Sequence, residues 1–214
     1  MPSRKKSLLR LNPQNESENK KHLTASALSE LEPHHFDVIV GVDNGLNGGL
    51  CAVSGFNGAV ISKIRMPNIH EGLRRDGANE IDIREIAEWM TVFKYHNSVL
   101  FAIEEPLKHA KSAQAVKSMA YSFGQLMAYA LLLPDNVSVF RVPITGLDGW
   151  QRRVLGRVPK SKTKEYALNK ARELAPDEDW RATTRSKVAH DGIVDAFLLA
   201  HFCRELLSNS PLES

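Results

Sequence analysis

The sequence predicts a mixed α/β fold, a five-stranded sheet flanked by helices. Three observations carry that reading. Three strand-like runs near the start are separated only by short glycine turns. After them, helical patterns alternate with two further apolar runs. Acidic residues stand at the ends of these buried runs, where an exposed surface would not explain them.

Phe36 to Val42 is a continuous, β-branched apolar run, the pattern of a strand buried on both faces. Asn44-Gly45 turns the chain, and Gly48-Gly49 leads into a second strand over Leu50 to Val53. Gly55 to Gly58 makes a hairpin turn, and Ala59 to Met66 a third strand. Pro67 to Glu80 reads as a loop. Asp82 has N-cap chemistry for a helix from Ile83 to Tyr95, with Ile83, Ile86, Ala87, Met90 and Phe93 on one face. Ser98 to Ile103 is a fourth strand that delivers Glu104 and Glu105 before Pro106 breaks it. In the segment Leu107 to Leu133, the half from Ala120 onward is apolar on nearly every side and is expected to be a core helix. Val137 to Val142 is the fifth strand. A loop carrying Trp150, Arg152, Arg153 and Arg157 follows, and Lys162 opens a helix through Leu174. Asp191 begins the last helix, which packs Ile193, Val194, Phe197, Leu198 and Phe202 inward.

The 214 residues accommodate one domain and a tail. Residues 1–35 are polar, without aromatics or sustained periodicity, and are expected to be a disordered tail before a folded domain over 36–208. The basic start has no apolar stretch behind it, which excludes a secretory signal. An organellar transit peptide stays open, although four glutamates precede Phe36. No stretch reaches the roughly 18 apolar residues of a membrane span, so no membrane partner is expected. A net charge of +3 says little about partners unless the basic residues cluster. Cys51 and Cys203 sit among apolar neighbours without a CxxC motif, as small buried hydrophobes of a reducing compartment, cytoplasmic or nucleoid-associated.

Four carboxylates carry the chemistry: Asp43 after the first strand, Glu104 after the fourth, and Asp191 and Asp195 on the last helix. A buried lone carboxylate costs several kcal/mol, and several at one point repel each other, which a divalent cation relieves. Each acid also has a plainer reading. Asp-Asn-Gly is common turn chemistry, Glu104 could be a solvated strand end, and Asp191 gains from the helix dipole. Asp195 has no such account: it lies four residues on, on the same helix face as Asp191, among apolar neighbours. Alternation along the strand brings at most one of Glu104 and Glu105 to the site, and Glu104 is the choice. His190 reads equally as a ligand, a supporting group or an exposed histidine. Oxygen-only ligands select hard ions, Mg²⁺ with Mn²⁺ able to substitute, and an ion pair suits phosphodiester hydrolysis. Lys108, Lys111 and Lys117, and Arg152, Arg153, Arg157, Lys160, Lys162 and Lys164, form two basic clusters that fit phosphate contact. Trp150 could stack on a base or pack beneath its own loop. Tyr121, Phe123, Met127 and Tyr129 read as core or dimer-interface residues.

Gly-Val-Asp-Asn-Gly after a buried strand, Ala-Ile-Glu-Glu at the end of the fourth, and His-Asp-Gly-Ile-Val-Asp-Ala-Phe-Leu-Leu-Ala on the final helix resemble the RuvC-type Holliday junction resolvases. The likeness is to their phage and chloroplast branches. It runs from about Phe36 to Cys203 and includes Tyr-Ser-Phe-Gly-Gln-Leu and Lys-Thr-Lys-Glu. The resemblance implies a ribonuclease H-like fold, a homodimer, and paired nicking of four-way DNA junctions with Mg²⁺, two ions per site. It assigns the metal-binding acidic tetrad to Asp43, Glu104, Asp191 and Asp195, and places Lys162 and Lys164 near the scissile phosphate. Two departures stand out. The acids of the last helix are four apart where some members space them by three or put His first, and the loop from Ile144 to Gly156 is longer than usual. Two other functions stay open: a ribonuclease H-like nuclease acting on RNA–DNA hybrids or other branched DNA, and a catalytically silent binder of branched DNA.

Overall fold

The structure is a computed structural model that describes residues 22–32, 34–69, 80–106, 113–144 and 149–208. In chain order its elements are β1 (His22–Leu23), α1 (Ala25–Ser29), β2 (Val38–Asp43), β3 (Gly49–Ser54), β4 (Val60–Arg65), α2 (Ile83–Met90) and β5 (Val99–Glu104). Then come α3 (Ala113–Ala130), β6 (Val137–Val142), α4 (Trp150–Leu155), α5 (Thr163–Leu174) and α6 (Asp191–Ser208). Short 3₁₀ turns, Thr91–Phe93 and Lys160–Lys162, extend α2 and lead into α5.

The sheet runs in the order β1-β6-β5-β2-β3-β4. Strands β2, β3 and β4 form an antiparallel meander, whereas β5 pairs parallel with β2 and β6 parallel with β5. This is the expected ribonuclease H-like mixed sheet, with one strand more. The addition corrects the expected tail boundary. His22 and Leu23 pair with Val139 and Phe140 along the outer edge of β6. Thr24 then caps α1 by accepting from the backbone of Ala27, and Leu28 is wholly buried. One leucine and a capped turn suffice because the edge of β6 offers backbone partners and α6 offers an apolar face. Residues 1–21 of that tail, with Lys108 and Lys111, lie outside the described residues.

Side chains alternate across the sheet and build two cores. Val38, Val40, Val42, Phe101, Ile103 and Val139 meet α2 and α3 on one face. Ile39, Leu100, Ala102 and Phe140 meet α1, α4, α5 and α6 on the other. Asp82 caps α2 by accepting from the backbone of Arg84 and Glu85. Both cysteines are free and buried.

Two expectations need revision. The chain from Ala120 is not buried all round: Ser122, Leu126 and Ala130 face inward, while Tyr121, Leu131 and Leu132 are exposed. The supposed loop after β6 holds α4, which Trp150 anchors in the core.

Candidate metal-dependent active site

Asp43 and Glu104 become neighbours through strand register. Val42 is paired with Ile103 on the parallel β2–β5 ladder, so the next residue of each strand emerges at the same level. Residues two apart share a sheet face. Asp43 therefore follows Ile39, and Glu104 follows Leu100 and Ala102, onto the face that α6 covers. The carboxyl ends of adjacent parallel strands are where open α/β sheets place their sites.

Close backbone approach brings α6 to the same point. A Cβ on Gly41 would stand 2.1 Å from the Ala196 carbonyl oxygen, and one on Gly192 would stand 2.4 Å from the backbone of Gly48. Only glycine lets the helix lie directly on β2 and on the β2–β3 turn. That contact sets the first turns of α6, with Asp191 and Asp195, over Asp43. The result is a cleft of about 640 Å³, lined by Asp43, Asn47, Ser118, Lys164, Asp191 and Asp195 among others. Glu104 lies beneath it, 7% exposed.

The electrostatics are strained in a consistent direction. Burial pushes the Asp43 carboxyl up to about 6, against the opposing hydrogen bond that its Oδ1 accepts from the Gly45 N–H. Burial first, and then the charges of Asp43 and Asp191, push Asp195 up to about 7, with Lys164 opposing. Glu104 is raised well above the carboxylate range by burial, then by Asp43 and Asp195, while a Trp150 hydrogen bond opposes the shift. These buried acids thus repel one another, and Lys164, in the cleft, opposes the shift of Asp195.

Lys164 is paired with Asp191, the most exposed of the four, and its own pKa is raised by that hydrogen bond. Lys162 sits on the 3₁₀ turn before α5 with an exposed side chain, outside the lining of the cleft. Glu105 pairs instead with Arg141 at 3.1 Å. His190 accepts a hydrogen bond from the Ile193 N–H on Nδ1 and so caps the start of α6; burial lowers its pKa. It also lines the cleft.

Among the described residues, no three His, Cys, Asp or Glu side chains are already gathered into an ion-binding group. The acids lean on protein donors instead: Gly45 N–H for Asp43, the indole of Trp150 for Glu104, and Lys164 for Asp191. The donor set nevertheless fits a hard divalent cation. All four side chains offer oxygen, and the mutual repulsion of Asp43, Glu104 and Asp195 is what such an ion would relieve. Those three, with Asp191 once released from Lys164, are the residues that would hold it.

The sequence reading missed two groups in this site. Asn44 is wholly buried, and its amide donates to the Glu104 carbonyl oxygen at 2.5 Å. Trp150 is also wholly buried, in the core that α4 shares with α6, and offers no face to a base. Asn44 was hidden inside ordinary Asp-Asn-Gly turn chemistry. Nothing in the sequence marked Trp150 as a partner of Glu104, which lies 46 residues before it.

A mixed six-stranded sheet with an acidic cleft at its carboxyl edge is what the fold and the site define. No family profile matches the chain, and no curated protein matches it. Among solved structures it is similar to one described as "T. thermophilus RuvC in complex with Holliday junction substrate", at 14% identity over 81% of this chain and 96% of that one, with a TM-score of 0.45. It is also similar to a "Thermus thermophilus RuvC structure", at 17% identity over 80% and 95%, with a TM-score of 0.43.

Proposed function

We propose that the protein is a divalent-metal-dependent, structure-selective DNA endonuclease that resolves four-way junctions by paired nicking. The observation that carries the reading is the burial of Asp43, Glu104 and Asp195 against one another beside an open cleft. A protein that only bound DNA would have no use for that concentration of negative charge next to phosphates. With Mg²⁺ bound, such a site supplies activated water and stabilises the leaving oxygen of a phosphodiester. Lys164 leaves Asp191 for the substrate phosphate, and Lys162 approaches the backbone from the 3₁₀ turn just before α5. Arg152 and Arg153 on α4 extend the basic surface on the α6 side of the sheet. Contacts of this kind position DNA without reading its sequence.

The choice of a junction as substrate rests on the motifs around Asp43, Glu104 and Asp191–Asp195. Paired nicking calls for two sites, and the outer face of α3 supports a homodimer. Small residues Ala120, Gly124 and Ala128 form an exposed seam there, flanked by Tyr121. A small-residue seam lets two helices approach closely, and Tyr121 supplies apolar area at its edge.

The test is incubation with a synthetic four-way junction and Mg²⁺ beside linear-duplex and RNA–DNA-hybrid controls. Symmetric nicks on the junction alone are expected. Preferential cleavage of the hybrid would move the protein to another ribonuclease H-like activity, and binding without cleavage would make it a silent binder.

A further inference from the structure

Glu104 is gripped from two sides. The Trp150 indole N–H donates to its Oε1 at 2.8 Å, and the Asn44 amide donates to its backbone carbonyl at 2.5 Å. Both partners are wholly buried. We propose that Trp150 is a positioning residue for Glu104: while Asn44 fixes the backbone of Glu104, Trp150 holds its carboxylate beside Asp43 and Asp195, the residues that with it would hold an ion. This rests on the metal-dependent reading of the site and deepens it by naming what keeps its least accessible ligand in place.

Packing alone does not account for Trp150. Phenylalanine would fill an apolar site without bringing an N–H that must be paired. The fold does not place every buried indole on a partner, because the Trp180 N–H has none among the described residues. The Trp150 N–H is aimed at the one acid lying beneath the cleft, and its dipole favours the charged carboxylate that burial and its neighbours disfavour. Groups that orient metal ligands in this way are worth 10- to 100-fold in metal affinity or activity. Trp150 is also the first residue of α4, whose first turn also carries Arg152 and Arg153. The same hydrogen bond therefore fixes the basic helix in register with the acids.

The experiment is a double-mutant cycle on the full-length protein, read by Mn²⁺ binding in electron paramagnetic resonance and by nicking under Mg²⁺ titration. Trp150→Phe should weaken Mn²⁺ binding about tenfold and raise the Mg²⁺ concentration for half-maximal nicking by a similar factor. In a Glu104→Gln background it should add little, because the two residues act as one unit. Wild-type affinity in Trp150→Phe, or an undiminished loss in the Glu104→Gln background, overturns the proposal. A second measurement needs no folded Trp150 variant. The chain has 3 tryptophans, and one indole N–H resonance should shift both with Glu104→Gln and with Mg²⁺. Mg²⁺ binding by calorimetry with all indole signals still would remove the positioning role and leave the nuclease reading intact. A protein that binds neither Mg²⁺ nor Mn²⁺ would overturn the nuclease reading itself.

Discussion

Helices α3 and α6 are both 18 residues long and both mainly apolar, yet they meet opposite fates. Helix α6 buries eleven residues, because the sheet lies under it and α1, α4 and α5 close over its flanks. Helix α3 covers the other face of the sheet with α2 as its helical neighbour, and keeps one buried stripe through Ser122, Leu126 and Ala130. Just beyond its end Leu132 is 82% exposed. Apolar composition therefore says that a helix wants cover but not who supplies it. For α6 the cover is this chain. For α3 half of it is missing among the described residues, and the proposed second copy would supply it.

Two glycines test the comparison. Gly41 lies under α6, where an added methyl would meet the Ala196 carbonyl oxygen at 2.1 Å and the Ala200 N at 2.7 Å, both rigid backbone. Gly41→Ala should therefore be severely damaging for so small a change. Lifting α6 off β2 opens the larger core, at a cost of about 3 kcal/mol or more. Scanning calorimetry should show a melting point lowered by roughly 6–12 °C, or no cooperative transition. A wild-type melting point would mean that α6 does not rest on β2 as described.

The acids on α6 and β2 come next. Asp43→Asn and Asp195→Asn should each abolish junction nicking while binding, followed by gel shift in EDTA, stays within about twofold. Normal nicking by Asp43→Asn would sink the assignment. Neither change should unfold the protein, because each removes a charge that its neighbours repel. The same repulsion gives a pH dependence. With Asp43 at about 6 and Asp195 at about 7, against an ordinary 3.8, the native state keeps protons that the unfolded chain has already lost. This contribution to stability is fully present below about pH 4 and disappears as pH rises through 6 and 7. His190 and His201, lowered by burial, act in the opposite sense below about pH 6.5. The clean readout is thus wild type against Asp195→Asn in EDTA. The variant's advantage in melting point should be larger at pH 8 than at pH 5, and Mg²⁺ should erase it. An advantage independent of pH would mean that Asp195 is not held among like charges.

Much of this site was legible because its signals are local. The β-branched run into Asp43 and the apolar run into Glu104 mark strand ends, and parallel pairing of β2 with β5 was enough to bring them together. The four-residue spacing of Asp191 and Asp195 marks one helix face. What stayed hidden depends on contacts distant in sequence. His22 and Leu23 form a strand only because β6 leaves an open edge, and two residues carry no periodicity of their own. The indole of Trp150 and the amide of Asn44 reach Glu104 through the folded sheet, and no spacing announces that. The outer face of α3 was misread for a related reason: a helix apolar on several sides looks the same in sequence whether its own sheet or another molecule covers it.

The smallest effect should come from the other glycine. Gly124 sits on the outer seam of α3, where an added Cβ meets nothing within 4 Å. Within one subunit Gly124→Ala can only help, since alanine is favoured over glycine in a helix by up to about 1 kcal/mol, or roughly 2–4 °C in melting point. At a close contact between two α3 helices the same methyl would hold the backbones apart. The expected result is therefore split. At high dilution the variant melts slightly higher than wild type, while sedimentation equilibrium shows a several-fold weaker dimer. Stabilisation with dimerisation unchanged would move the partner surface away from this seam, towards Tyr121 and Leu132 alone, and charge substitutions at those two positions would then be the ones to separate the subunits.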